Sequence, residues 1–296
     1  MTSRLIPPGA REEYLETNLG RVRVLRSTAN ATPGGALPLL LIHGGGSDNA
    51  AISWFELFEA FGADREVLAL DLPGFGYTQV EPVGGPRDQG DFVAAMAGRL
   101  GVARAVVVGV SMGGDVAMQV ALRHPNLAAG LVLIAPGGLV PVFRNRQANL
   151  VAWTLASLPD RAMDPLARLA NRYVEKALTS MVHDVATLPP QVRTEFLAEA
   201  ARHPEGMGYR RYNQASLAPT RMRNNLLPVV HEIGAPTLFF HGRQDTLVSP
   251  SGSVDAARRM PDARLVLVDD CGHWAHLEAS DRFRAELSAF LSELGR

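Results

Sequence analysis

The sequence predicts an α/β fold, a mostly parallel sheet flanked by helices, on three observations. Short, almost continuous apolar runs recur along the chain, as strands covered on both faces require. Stretches with helical spacing separate them, which is the βα alternation of a parallel sheet. After Pro136 the strand signal stops, and it returns only at Thr237, so a helical insertion interrupts the sheet.

The elements follow in order. Glu13 to Asn18 and Arg21 to Arg26 alternate roughly with period two and meet at Leu19-Gly20, the pattern of an opening hairpin. The runs Pro38 to His43, Glu66 to Asp71, Ala105 to Val110 and Leu131 to Ala135 read as strands three to six. Between them, Ala51 to Phe61, Asp91 to Leu100 and Met112 to Arg123 read as helices, the last stopped by His124-Pro125. From Phe143 to about Val230 the chain is rich in Ala, Leu and Arg with scattered Pro, which reads as several short amphipathic helices. Strands seven and eight follow at Thr237 to His241 and Arg264 to Val268, with helices near Gly252 to Arg259 and Ser280 to Leu294. Residues 1–136 and 236–296 are thus expected to form the core. Residues 137–235 are expected to form a helical cap between the sixth and seventh strands, over a pocket at the strand ends.

Composition narrows the function. The chain has 296 residues, 47% of them hydrophobic and 20% charged, enough apolar surface for a large core. With 29 basic and 30 acidic residues its net charge is -1, and no long run of one sign steers it to nucleic acid or an anionic bilayer. No apolar run approaches the ~20 residues that cross a membrane. The single cysteine, Cys271, forms no intramolecular disulfide, and the first residues carry charges and prolines instead of an apolar stretch, so a cytoplasmic location is expected. Lys176 is the only lysine, which disfavours imine chemistry. The histidines lack HExxH-type spacing, so no metal or other cofactor is expected. A small-molecule substrate is the expected partner, and self-association stays open.

Chemistry concentrates at Val106 to Ala117, VVVGVSMGGDVA. A serine between a buried strand and a helix, with glycine two positions away on each side, is what a tight strand-turn-helix elbow requires. Gly109 and Gly113 remove side chains that would clash there, and Ser111 is lifted above the sheet as a nucleophile. The Met112 N–H, at the helix start, points where an oxyanion would form. A hydroxyl needs a base and a group to orient that base. His273, just after the last strand, is the preferred base over His276, which lies near the final helix, and over His241 and His43, which end strands. The loop Gly242-Arg243-Gln244-Asp245 supplies Asp245 as orienter. Asp269 and Asp270 read as solvated turn residues, and Pro136-Gly137-Gly138 offers no carboxylate after the sixth strand. Gly44, Gly45 and Gly46 follow the third strand, where backbone can approach a ligand without Cβ interference. The N–H of Gly45 is the expected second oxyanion donor. The competing phosphate-cradle reading lacks GxxxxGK[ST].

IHGGG at 42–46, LDLPGFGYT at 70–78, GVSMGG at 109–114, GRQD at 242–245 and CGHWAHLE at 271–278 together resemble the α/β-hydrolase superfamily over nearly the whole chain. The resemblance implies Ser111 as nucleophile, Asp245 as orienter and His273 as base. Serine at the elbow argues against the dehalogenases and epoxide hydrolases of this fold, which attack with aspartate. Residues 262–291 resemble the C-terminal segment of the meta-cleavage-product hydrolases, which cut carbon–carbon bonds in vinylogous diketo acids. Trp274 is part of that likeness. Two positions differ: Val110 stands where that family commonly has Asn, and Phe196 stands where it places a carboxylate-binding arginine. Arg193, one helical turn away, is a substitute. A phenyl ring there favours a less charged substrate. Hydrolysis of a carboxylic ester, or a similarly activated carbonyl bond, of a medium-sized, mainly apolar substrate through an acyl-enzyme on Ser111 is therefore expected first, and carbon–carbon cleavage second. Perhydrolase or haloperoxidase-like activity and a non-catalytic ligand receptor are the further alternatives. Trp153, Phe196 and Trp274 are candidate substrate contacts, with Tyr173, Tyr209 and Tyr212 as other aromatics of the insertion. Arg210 and Arg211 are expected to be solvated.

Overall fold

The computed structural model describes residues 4–29 and 35–295. Strands β1 (Ala10–Thr17) and β2 (Gly20–Ser27) form the expected hairpin, with Thr17 opposite Gly20. Strand β3 (Leu39–Ile42) leads through the short helices α1 (Ala50–Ser53) and α2 (Leu57–Phe61) to β4 (Val67–Leu70). Helix α3 (Pro86–Arg99), β5 (Ala105–Val110), α4 (Met112–Arg123) and β6 (Ala128–Ile134) follow. Five helices come next: α5 (Arg146–Ala156), α6 (Asp160–Asn171), α7 (Val174–Met181), α8 (Pro190–Arg202) and α9 (Met207–Ser216). Then β7 (Thr237–Gly242), α10 (Pro250–Arg259), β8 (Ala263–Val268), α11 (Ala275–Glu278) and α12 (Ser280–Leu294) close the chain.

All eight strands join one sheet in the order β1-β2-β4-β3-β5-β6-β7-β8. The first two are antiparallel additions, and β4 onward across the sheet is parallel. Successive residues of a strand point to opposite faces, and here each face has its own core. Leu40, Ile42 and Val107 pack on one side with Phe92, Val116 and Phe239. Leu39, Leu41, Val106 and Val108 pack on the other with Trp54, Phe240 and Phe283. The continuous apolar runs of the sequence are the mark of this double burial.

Two helix boundaries depart from the sequence reading. The helix read over 51–61 is broken, because Trp54 is fully buried against the ring of His276 and leaves the helical course. Tertiary packing overrides the periodic pattern there. Helix α3 begins at Pro86, five residues before the expected start at Asp91. Proline at the first position and Asp88 accepting from the Gly85 N–H at 3.1 Å fix that end.

Candidate active site

The loops after β3, β5, β7 and β8 all emerge at the carboxyl edge of the parallel strands, where open α/β sheets place ligand sites. Ser111 is the turn between β5 and α4, at φ 54° and ψ −119°. This conformation is costly for a residue with a Cβ and persists only where its surroundings enforce it. The surroundings are visible. A Cβ on Gly109 would lie 2.2 Å from the Gly113 carbonyl oxygen, and one on Gly113 would lie 2.1 Å from that of Ile42. Only glycine lets β5, α4 and β3 approach this closely, and their approach forces the turn at Ser111. Its carbonyl accepts from the N–H groups of Gly114 at 3.0 Å and Gly137 at 2.8 Å, which ties the elbow to the end of β6. The residue itself stays partly accessible.

Asp245 and His273 meet. His273 Nδ1 donates to Asp245 Oδ2 at 2.7 Å, so the other ring nitrogen, Nε2, is the one left for a substrate or a nucleophile. Asp245 Oδ1 accepts from the N–H groups of Leu247 at 2.8 Å and Val248 at 2.9 Å. Burial pushes this carboxyl up, but hydrogen bonds from His241 and His273 and the nearby His273 ring outweigh it and hold it well below the usual carboxylate range. It is therefore an anion that orients an imidazole. Of the competing histidines, His276 is committed elsewhere: its Nε2 donates to the Ser53 carbonyl at 2.9 Å, and burial drives its pKa down to about 3. His43 is buried, with Nδ1 donating to the Gly44 carbonyl at 2.7 Å and Nε2 accepting from the Leu72 N–H at 3.0 Å. It shapes the loop that follows.

That loop is held by Asp48. Its Oδ2 takes the Gly44 N–H at 2.8 Å and the Ser53 hydroxyl at 2.6 Å. The N–H groups of Gly45 and Met112 have no protein acceptor among the described residues. Gly44 lies beside the nucleophile candidate, where an added Cβ would be 3.6 Å from the Ser111 Cβ. Gly46 adopts φ 78° with open space around it. The helical insertion reaches the same place: the Tyr209 ring of α9 occupies the position where a Gly45 Cβ would go, at 2.3 Å. Tyr209 stacks on Tyr212 at 5.9 Å, and the Tyr212 hydroxyl donates to Asp115 Oδ2 at 2.7 Å on the first turn of α4. Two tyrosines thus span from the glycine loop to the elbow helix.

The other expected contacts fall differently. Phe196 and Trp274 form a buried edge-to-face pair with centroids 5.6 Å apart, packing α8 on the loop after β8. Trp153 is half-buried on α5, which packs on α9. Arg210 is buried instead of solvated, pairing with Asp164 at 2.6 Å, and Arg211 pairs with Asp160 at 2.6 Å. Three features escaped the sequence reading: the Asp115 cluster, the contact of His241 with Asp245, and Glu199. Glu199 is buried on α8 and accepts from the Gly76 N–H at 2.7 Å and Asn49 Nδ2 at 3.0 Å, fastening the insertion to the core. A charged residue inside a buried helical turn was the only signal for Asp115.

Residues 38–280 match the family described as the alpha/beta hydrolase fold. The 2-hydroxymuconate semialdehyde hydrolase of Pseudomonas putida is 29% identical over 88% of this chain and 89% of its own. Among solved structures, a thermophilic esterase from Thermogutta terrifontis superimposes with a TM-score of 0.75 at 21% identity, covering 96% of this chain and 99% of its own. The 2-hydroxy-6-oxo-6-phenylhexa-2,4-dienoate hydrolase of a Rhodococcus strain gives 0.68 at 23%, covering 94% and 97%. At these identities the two structures speak for the fold.

Proposed function

The chain belongs to the alpha/beta hydrolase family and is a hydrolase, and on that premise we propose that Ser111 attacks the carbonyl of a small conjugated diketo acid, splitting the adjacent carbon–carbon bond. The strained Ser111 elbow, at the same sheet edge as the Asp245–His273 couple, carries the reading. His273 Nε2 takes the Ser111 proton as Oγ bonds to the carbonyl carbon, while Asp245 holds the ring in the tautomer that can accept it. The free N–H groups of Gly45 and Met112 stabilise the oxyanion. On collapse, the electron pair of the broken bond passes into the conjugated leaving group, which takes up the proton. Water, deprotonated by His273, then releases the acid from Ser111. Residues 137–235 act as the cap, with Tyr209 and Tyr212 above the elbow.

The sequence alone ranks ester hydrolysis first. The name of the Pseudomonas putida relative, and that of a 2-hydroxy-6-oxo-6-phenylhexa-2,4-dienoate hydrolase of Burkholderia cepacia, 26% identical over 86% of this chain and 87% of its own, favour the carbon–carbon reaction instead. Ester hydrolysis is the second reading, favoured by Phe196: it is packed against Trp274 and offers a substrate carboxylate no charge. The test is kcat/KM for a dienoate diketo acid against p-nitrophenyl esters of rising chain length, with Ser111→Ala alongside. Preference for the dienoate is expected, with a loss on the order of 10⁴-fold or more in the variant. Preference for the esters would install the second reading, and unchanged turnover by Ser111→Ala would end both.

A further inference from the structure

Asp245 Oδ2 is shared. Besides His273 Nδ1 at 2.7 Å, it accepts from His241 Nε2 at 3.1 Å. The same His241 nitrogen lies 3.1 Å from the Val248 carbonyl, and the Ser253 hydroxyl lies 2.8 Å from His241 Nδ1. Nε2 faces two acceptors, the Asp245 carboxylate and the Val248 carbonyl, so it carries the hydrogen that reaches the carboxylate, and in the neutral ring Nδ1 is left to accept from serine. Both His241 and Ser253 are buried, and the Asp245 side chain is wholly so. His241 ends β7 and Ser253 lies in the first turns of α10, so the contact follows from packing that helix on that strand.

We propose that His241, backed by Ser253, is a positioning residue that shares Asp245 with His273 and sets how strongly the carboxylate stabilises the His273 imidazolium. The inference rests on the triad reading above. Four donors divide one carboxylate: two backbone N–H groups on Oδ1 and two imidazoles on Oδ2. Each draws charge from it. Whether His241 is neutral or protonated, removing its N–H leaves more negative charge facing His273, so the proton affinity of His273 rises. Other ionisable groups near this cluster include Cys271 and Glu278 beside the His273 loop, His276 on α11, His183, whose backbone N–H donates to Glu278, and Arg144, which donates to the Thr246 carbonyl, and the substitutions leave all of them in place.

The experiment is a carbon-13 histidine NMR titration of His273, assigned with His273→Ala, in wild type, His241→Phe, His241→Gln and Ser253→Ala. Glutamine keeps an N–H for Asp245 and an oxygen for Ser253; phenylalanine keeps neither. The His273 pKa should rise by about one unit in His241→Phe and stay near wild type in His241→Gln. The acid limb of kcat/KM should move with it, and kcat should fall on the order of tenfold with little change in KM. Should His241→Phe fail to fold, Ser253→Ala carries the test, since it frees Nδ1 and weakens the Nε2 contact in the same direction. An unshifted His273 in both, or an equal rise in His241→Gln, overturns the proposal. The titration needs no turnover, so it stands apart from the Ser111→Ala result that judges the nucleophile.

Discussion

Asp115 makes stability fall as pH rises, in a window set by its burial. It sits on the first turn of α4, wholly buried, with Oδ2 accepting from the Tyr212 hydroxyl at 2.7 Å and from Asn224 Nδ2 at 2.6 Å. Oδ1 has no partner among the described residues. Burial pushes its pKa up to about 7 against the pull of those two hydrogen bonds. An unfolded aspartate titrates near 3.9. Between about pH 4 and pH 7 the native state therefore holds more protons than the unfolded one, and stability declines as pH rises, levelling off above pH 7. The gap between the folded and unfolded titrations is worth about 4 kcal/mol in full, and the α4 N-terminus, which favours a carboxylate, trims that figure. Asp115→Asn stays neutral at every pH. Its carbonyl can accept both existing hydrogen bonds, and its amide takes the place of the unpaired oxygen. Against wild type, the variant should gain about 2.5 kcal/mol between pH 5 and pH 8, read as urea midpoints at both values or as a relative Tm gain of roughly 5 °C. A difference between the two proteins that is the same at pH 5 and pH 8 would refute the reasoning.

Two further predictions come from close contacts. In Gly45→Ala the new Cβ meets the Tyr209 ring at 2.3 Å, so the loop must shift; activity should drop on the order of 10²-fold by displacing one oxyanion donor, and Tyr209→Ala in the same chain should restore part of it. A double variant as weak as the single would locate the damage elsewhere. Glu199→Ala leaves the Gly76 N–H without its acceptor and the buried Asn49 amide with only its longer bond to Glu195 at 3.3 Å, and should cost about 3 kcal/mol in chemical denaturation; a loss under about 1 kcal/mol would mean that Arg202 and Glu195 hold the contact without it.

What could be read from the sequence was local, and what could not was the meeting of distant residues. The strands were legible because each is buried on both faces, which writes double burial as unbroken apolar runs such as LLLI and VLAL. The elbow was legible because the glycines at 109 and 113 stand four residues apart, and a Cβ at 109 would meet the Gly113 carbonyl; the contact of Gly113 with Ile42 on β3 is long-range and was not legible. The Asp245–His273 pairing came from order along the chain and from resemblance, and the structure puts the two 2.7 Å apart. His241 stood in plain view four residues before Asp245, yet nothing local distinguishes a strand-end histidine that donates to a carboxylate from one that only packs. The Val248 carbonyl, seven residues on, decides it with Asp245 by giving Nε2 two acceptors, which leaves Nδ1 to Ser253. The glycine at 45 has a similar history: it looked like freedom for a ligand, and it is equally the space that Tyr209, far along the chain, fills. Phe196 differs again. Read as a replaced substrate contact, it is in the structure half of an aromatic pair that seats α8. A residue type at a matching position therefore limits the charge a substrate can meet there, but its role follows from which partner fills the space beside it.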